Sequence, residues 1–466
     1  LNIIIPRQMN EVLISLELSS IRLNHSYEFI RYLLYQNHLI DNDISMNTFI
    51  NITSAFLKQN FTHNYNKIFM SSLTYNRIIL KEPYFNSSYS SHYRGVPLEH
   101  SKPYGYRFSD EYFDFSEPVI VEYGSKKPNH RRNQIKKVIN DLSLLEFDIE
   151  GMMQAVMNYN IDDFIQVNDE IQEDVVDIVD TYCKTIEGNY ATYTTSVDKA
   201  LAKAKERHLD LIMFKHHCYF DSVDRFKKTR VNNFRASQFY SISTLQSEDF
   251  YASINDTNWR LDTNLTNLKA DFIKGGYVTL NGEPLKDIDL SNSQPCLLAN
   301  LFDSLDNMLI KFPKLINAYY YPYLNKNEID VQHFIKLSGD GKIYDYICEK
   351  TGWNRPFAKN IFIKIMFSKA GWNSVYKKRL KELFPNVISW MDEFKIKNNS
   401  HKELAIMLQR LESEIFIRNI YPQIRKQGYV IYTKHDSILC KESDRDAVKL
   451  EMERIMTEMG LRFTLK

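Results

Sequence analysis

The chain has 466 residues, room for about two to four domains, and its 44% hydrophobic and 25% charged content is that of an ordinary globular protein. A formal net charge of +1 excludes a globally basic nucleic-acid binder, so any cationic surface has to be local. No long apolar run or signal-like leader is present, and five scattered cysteines lack a C-x-x-C pair; the expectation is a cytoplasmic chain with no membrane span, no export and no disulfide framework.

Apolar spacing predicts helices over 46–60 and 65–80, followed by two aromatic, strand-like pieces, "KEPYFNSS" and "PYGYRFSDEYFD". Two helices and then a ribbon is the order of a winged helix, which would carry Lys67 and Arg77 towards a groove and Arg94 on the loop between strands. A small α+β cap that touches no nucleic acid accounts for the same elements equally well. The stretch "SKKPNHRRNQIKKVIN" (125–140) reads as a linker running into a helix, and 168–215 as mostly helical. "LEFDIEG" places Asp148 and Glu150 at the D-x-E spacing of metal-dependent exonucleases, but no further acids follow in a nuclease arrangement, so the spacing reads as coincidence. "KHHC" (215–218) lacks a second ligand pair and reads as surface rather than a metal site. "RFKKTRVNNFR" gathers Arg225, Lys228 and Arg235 within a few helical turns, a candidate phosphate contact.

Asn281-Gly282 predicts a hairpin whose second strand delivers Asp287 and Asp289 just before a stretch of helical periodicity. Further on, "IYTKHDSILCK" (431–441) places His435-Asp436 at the tip of another hairpin. Carboxylates at the ends of antiparallel strands, far apart in sequence, can converge as oxygen ligands for a pair of hard cations. Between them, "WNRPFAKNIFIKIMFSKAG" (353–371) puts Arg355 and Lys359 four apart, and Phe367 eight beyond Lys359, on one helical face. Two cations and then an aromatic ring suit a triphosphate lying along that face with its base stacked at the far end.

In this order the segments resemble the motifs of family A DNA polymerases. "DLSNSQPCLLANL" (289–301) is similar to the first catalytic motif, with Asp289, Ser291 and Ala299 on its positions. "RPFAKNIFIKIMF" resembles the nucleotide-binding fingers helix through Arg355, Lys359 and Phe367, and "HDS" the third motif through His435 and Asp436. "NWRLDTNLTNLKADFI" (258–273) and "MLQRLESEIF" (407–416) resemble the stretches in which an Arg and a Gln read the primer-terminal minor groove, here Arg260 and Gln409. Any one motif is weak; five in the family's order over roughly 240–466 is a specific signal.

The resemblance implies an α+β right-hand polymerase: palm in 250–305 and 428–466, fingers in 306–427, helical linker and thumb in 125–249, and a winged-helix-like domain in 1–124. It implies a DNA polymerase extending a primer 3′-OH, for replication of a mobile element, plasmid or phage. Asp289, Asp436 and the carbonyl of Leu290 would hold two Mg²⁺ ions, with Mn²⁺ able to substitute. Asp289, Asp436, Lys359 and Arg355 would be catalytic, and Arg355, Lys359, Ile363, Phe367, Gln294 and His333 would surround the nucleotide, although a packed or surface role for His333 is the more ordinary one. Arg260, Gln409, His435, Arg225, Lys228 and Arg235 would meet nucleic acid. Partners would be DNA primer-template, nucleoside triphosphates and replication accessory proteins, and the chain a monomer.

The departures concern the sugar. The family usually has Glu at the position of Gln294 and Tyr at that of Phe367, and Glu where Ser437 stands. Ser437 resembles the single-subunit RNA polymerases, yet those use a small gate residue, and Gln294 is not small. DNA synthesis is therefore favoured. A single-subunit RNA polymerase or primase on the same fold is the alternative, followed by a catalytically inert DNA-binding replication protein. An inert protein would have no reason to keep a cluster of buried charge.

Overall fold

The computed structural model describes residues 1–39, 50–61, 64–83, 92–93, 96–97, 104–109, 111–124, 135–159 and 231–466. It divides into two units, Leu1–Pro128 with Ile149–Asp249, and Asn129–Asp148 with Phe250–Lys466. The fold is mixed α+β, and the strand pairings among the described residues are antiparallel.

In the first unit, Asn2–Pro6 pairs with Pro118–Glu122. Its β-branched run Ile3-Ile4-Ile5 is fully buried, as strand propensity and burial together favour. The helix expected over 46–60 begins only at Ser54: Ile50–Ile52 is a strand, and Thr53 starts the helix by accepting a hydrogen bond from the Phe56 N–H at 3.1 Å. The helix expected over 65–80 stops at Tyr75, after a π-helical turn Asn66–Met70, because the chain reverses through Arg77 at φ 56. The aromatic strands Ile79–Pro83 and Tyr104–Phe108 do pair, and Ile50–Ile52 joins the far side of the latter. Phe29, Phe69, Tyr106, Phe108, Phe115 and Phe239 make a fully buried aromatic core, Phe239 coming from the helix at 231–246. The positions of Arg94, Arg225 and Lys228, and the stretches 168–215 and 215–218, lie outside the described residues.

The second unit is built on a five-stranded sheet in the order Ile431–Lys434, Ser437–Lys441, Glu283–Asp289, Val278–Leu280, Leu145–Phe147. Asn281 and Gly282 take φ 54 and 75, the paired left-handed values a tight hairpin needs, so the expected turn is present. The edge strand comes from "LEFDIEG", inside the segment expected to be linker and thumb; residues 129–148 belong with this unit, not with the stretch that follows them. The helix Ser293–Asp303 buries nine of its eleven residues, which places it at the centre of the core. Ile329–Gly339 and Glu403–Ser413 pack against it, and Arg445–Glu458 covers part of the sheet. Among the described residues no helix is long and apolar enough to cross a membrane.

Candidate functional site

Asp289 ends its strand opposite Ser437, so its diagonal neighbour is Asp436 in the two-residue turn joining Ile431–Lys434 to Ser437–Lys441. Backbone bonds fix this placement from both sides. The Leu290 N–H donates to the Asp436 carbonyl at 3.1 Å, and the Lys466 N–H donates to the Asp289 carbonyl at 3.0 Å. His435 carries the turn at φ 56, a left-handed conformation costly for a bulky residue.

The two acids feel each other. Burial pushes the Asp289 carboxyl up to about 7, the Asp436 and Asp287 charges add to the rise, and Lys359 and Lys466 oppose it. Burial also raises Asp436, against its own backbone hydrogen bond and the charges of Arg260 and Lys359. Burial, with Arg260 and Lys434 nearby, drops the His435 imidazole to about 4, so it is neutral at ordinary pH.

Lys359 acts on both acids from the helix Arg355–Phe367. Asn354 starts that helix by accepting from the Phe357 N–H at 2.9 Å. Phe357, Ala358, Ile361, Phe362, Ile365 and Met366 are buried, which leaves Arg355, Lys359, Ile363 and Phe367 on the more open face, as their spacing predicts. Arg355 ion-pairs with Asp345, lies 5.8 Å from the Tyr344 ring centroid, and reaches Asn292 Oδ1 at 3.4 Å. It is therefore directed at the loop that follows Asp289.

The sequence reading missed Glu412. It is 1% exposed, yet it anchors the site: Arg260 Nη2 lies 2.8 Å from its Oε1, while Ser293 Oγ (3.2 Å) and Gln294 Nε2 (3.1 Å) donate to its Oε2. Burial raises its carboxyl, with Arg260 opposing and Asp436 adding to the rise. The signal was present in "MLQRLESEIF": Glu412 falls on the apolar face of its helix, with Leu404, Leu408, Leu411 and Ile415, where a charge needs a partner.

Trp259 was missed as well. The guanidinium groups of Arg410 and Arg418 both lie over its ring, 5.0 and 4.9 Å from the centroid, and Arg410 Nε donates to the Thr257 carbonyl at 2.7 Å. This pins the loop carrying Arg260 to the helix carrying Glu412.

Other expected residues have different surroundings. Gln409 is half-buried one turn before Glu412. His333 packs edge-on against Tyr346, 4.5 Å between ring centroids, which is a packing role. Arg235, in the first unit, donates to the backbone carbonyls of Phe115 and Met157 at 3.2 and 3.1 Å, so two of its donors serve the fold.

Four buried polar atoms beside the acids have no hydrogen-bond partner: Ser291 Oγ, Asn292 Nδ2, Gln294 Oε1 and His435 Nδ1. Groups of this kind are normally met by water or a ligand. Among the described residues no three His, Cys, Asp or Glu side chains form a metal-holding group. The candidate set is two carboxylates and a carbonyl, which suits a hard cation that keeps water and substrate oxygens as its remaining ligands. Comparison with protein-family models and with curated proteins gives no match.

Proposed function

We propose that this chain is a template-directed DNA polymerase of the right-hand type that adds deoxynucleotides to a primer 3′-OH, serving replication of a mobile element, plasmid or phage. The observation that carries the reading is the convergence of Asp289 and Asp436, close enough for one charge to raise the other's pKa, beneath Lys359. The five motifs in family order support it.

Asp289, Asp436 and the Leu290 carbonyl would hold divalent ions, for which the mutual repulsion of the two acids is a reason. When bound, Mg²⁺ or Mn²⁺ supplies activation of the 3′-hydroxyl and charge stabilisation of the leaving pyrophosphate. Lys359 and Arg355 neutralise the triphosphate along the open face of their helix. Arg260, held on the same carboxylate as Gln294, would read the primer-terminal base pair, so that phosphates and base edges are met by separate elements. Neutral His435 holds the turn and adds no charge against the ions.

Primer extension with Mg²⁺ and each nucleotide class in turn tests the reading. Deoxynucleotide incorporation that falls about a hundredfold or more in Asp436→Asn is the expected result. Incorporation by that folded variant at the unaltered rate would remove the site, and preferential use of ribonucleotides would make the chain an RNA polymerase or primase.

A further inference from the structure

Asp289 has a second neighbour, on the edge of its strand away from Asp436. Its N–H donates to the Lys466 carbonyl at 3.3 Å, and the Lys466 N–H donates back to its carbonyl at 3.0 Å, so the extended segment 462–466 runs antiparallel to the strand end. Residues that exchange both bonds project their side chains from the same face. Lys466 therefore stands directly beside Asp289, while the next pair, Leu290 and Leu465, turns into the core. The segment is held firmly. Asn300, on the helix Ser293–Asp303, donates from Nδ2 to the Arg462 carbonyl and accepts from the Arg462 N–H, both at 2.8 Å, and Thr464 Oγ1 donates to the Gly339 carbonyl at 2.8 Å. Lys466 itself is exposed, and among the described residues no carboxylate ion-pairs with it.

The charges follow an order across the site. Arg260 acts on Asp436, Lys466 acts on Asp289, and Lys359 acts on both. In the polymerase reading, on which this inference rests, Arg260 marks the primer end, so the tail of the triphosphate lies at the opposite end, towards Lys466. We propose that Lys466 is a further substrate-binding residue, whose amine holds the β- and γ-phosphates of the incoming nucleotide and then the pyrophosphate they become. As the primer 3′-oxygen bonds to the α-phosphorus, the bond from that phosphorus to its bridging oxygen breaks. The electron pair leaves with pyrophosphate, and the hydroxyl proton passes to water. An ammonium group beside the departing oxygens meets that charge as it accumulates, and its flexible four-carbon stem lets it follow them. The phosphates are then held by Lys359 and Arg355 from the helix and by Lys466 from the strand edge.

Lys466→Met removes the charge and keeps both the apolar stem and the backbone pairing. Single-nucleotide extension gives kcat and KM for whichever nucleotide class the chain incorporates, and primer shortening by inorganic pyrophosphate, the reverse reaction, gives KM for pyrophosphate. The expected result is that both KM values rise about tenfold, with a smaller change in kcat, and that Lys466→Arg keeps most of the binding. Mg²⁺ titrations and melting midpoints of the same variants separate this from an effect on Asp289 or on the strand pairing, neither of which would single out pyrophosphate. Lys466→Gln decides the matter if Lys466→Met does not fold. An unchanged KM for pyrophosphate in the folded variant, or a change confined to the Mg²⁺ midpoint, overturns the assignment of Lys466 alone. No incorporation of either nucleotide class by the unaltered chain overturns the polymerase reading and this inference with it.

Discussion

Asp289 binds a proton more tightly in the folded chain than an ordinary aspartate does, at about 7 against an ordinary value of 3.8. Between those values the native state holds a proton that the unfolded state has lost, so stability falls as pH rises through that window and levels off above it. Asp289→Asn removes this loss. Without divalent ions the variant should be more stable than the parent at pH 8, by about 1–2 kcal/mol once the partial exposure of the carboxyl is allowed for, and the two should converge near pH 4. Thermal melts at the two pH values check the sign. Adding Mg²⁺ at pH 8 should raise the melting midpoint of the parent more than that of Asp289→Asn, because only the parent relieves two facing charges by binding. At this scale the sequence was informative where a motif carried the residue: Asp289, Asp436, Lys359 and Arg355 gather around one strand end. For Glu412 it offered only a charge on an apolar helix face and no partner, because residues as distant in sequence as Arg260 and Ser293 are joined to it only by the fold.

Elements were legible where local chemistry and period agreed. The Asn-Gly turn, the helix after Asp289 and the open face of the Arg355–Phe367 helix all follow from spacing. They failed where a short apolar run admits both periods, as with Ile50–Ile52, which tertiary pairing with Tyr104–Phe108 makes a strand. Two element-scale predictions follow from caps and clamps. Asn354→Ala removes the acceptor for the Phe357 N–H and should cost about 1 kcal/mol in urea unfolding, because the helix has no other side-chain cap at that end. Trp259→Ala should cost more, about 2–3 kcal/mol, since it removes a large ring and leaves Arg410 and Arg418 without the ring they both contact. If the loop at 257–260 is held mainly by that ring, the variant should also extend primers more weakly through loss of Arg260 placement.

For the molecule as a whole, residues 129–148 complete the second unit, although the stretch that follows them, 149–249, belongs to the first. Nothing in the local pattern of "LEFDIEG" says which partner its strand will take; pairing with Val278–Leu280 is a property of the sheet. The same short segment anchors the far side of the unit, where Asp141 accepts from Arg425 at 2.8 Å and from the Tyr421 hydroxyl at 3.0 Å. Residues 250–466 expressed alone should therefore aggregate, with an uncovered sheet edge and an unpaired Arg425. Joining 129–148 to 250–466 through a short linker should restore a monomer with one cooperative melt, since the Phe147 and Phe250 rings are 6.1 Å apart. Size-exclusion chromatography and melting of the two fragments decide this.

The edge strand also sets an order of events during synthesis. Leu145–Phe147 leaves the ribosome well before Val278–Leu280 exists, and the intervening chain, 149–249, belongs to the other unit. The sheet therefore closes across a long excursion, a contact order that slows folding and leaves a nascent strand waiting for its neighbour. A chain halted just after Asp249 would hold every residue of the first unit and, of the second, only residues 129–148.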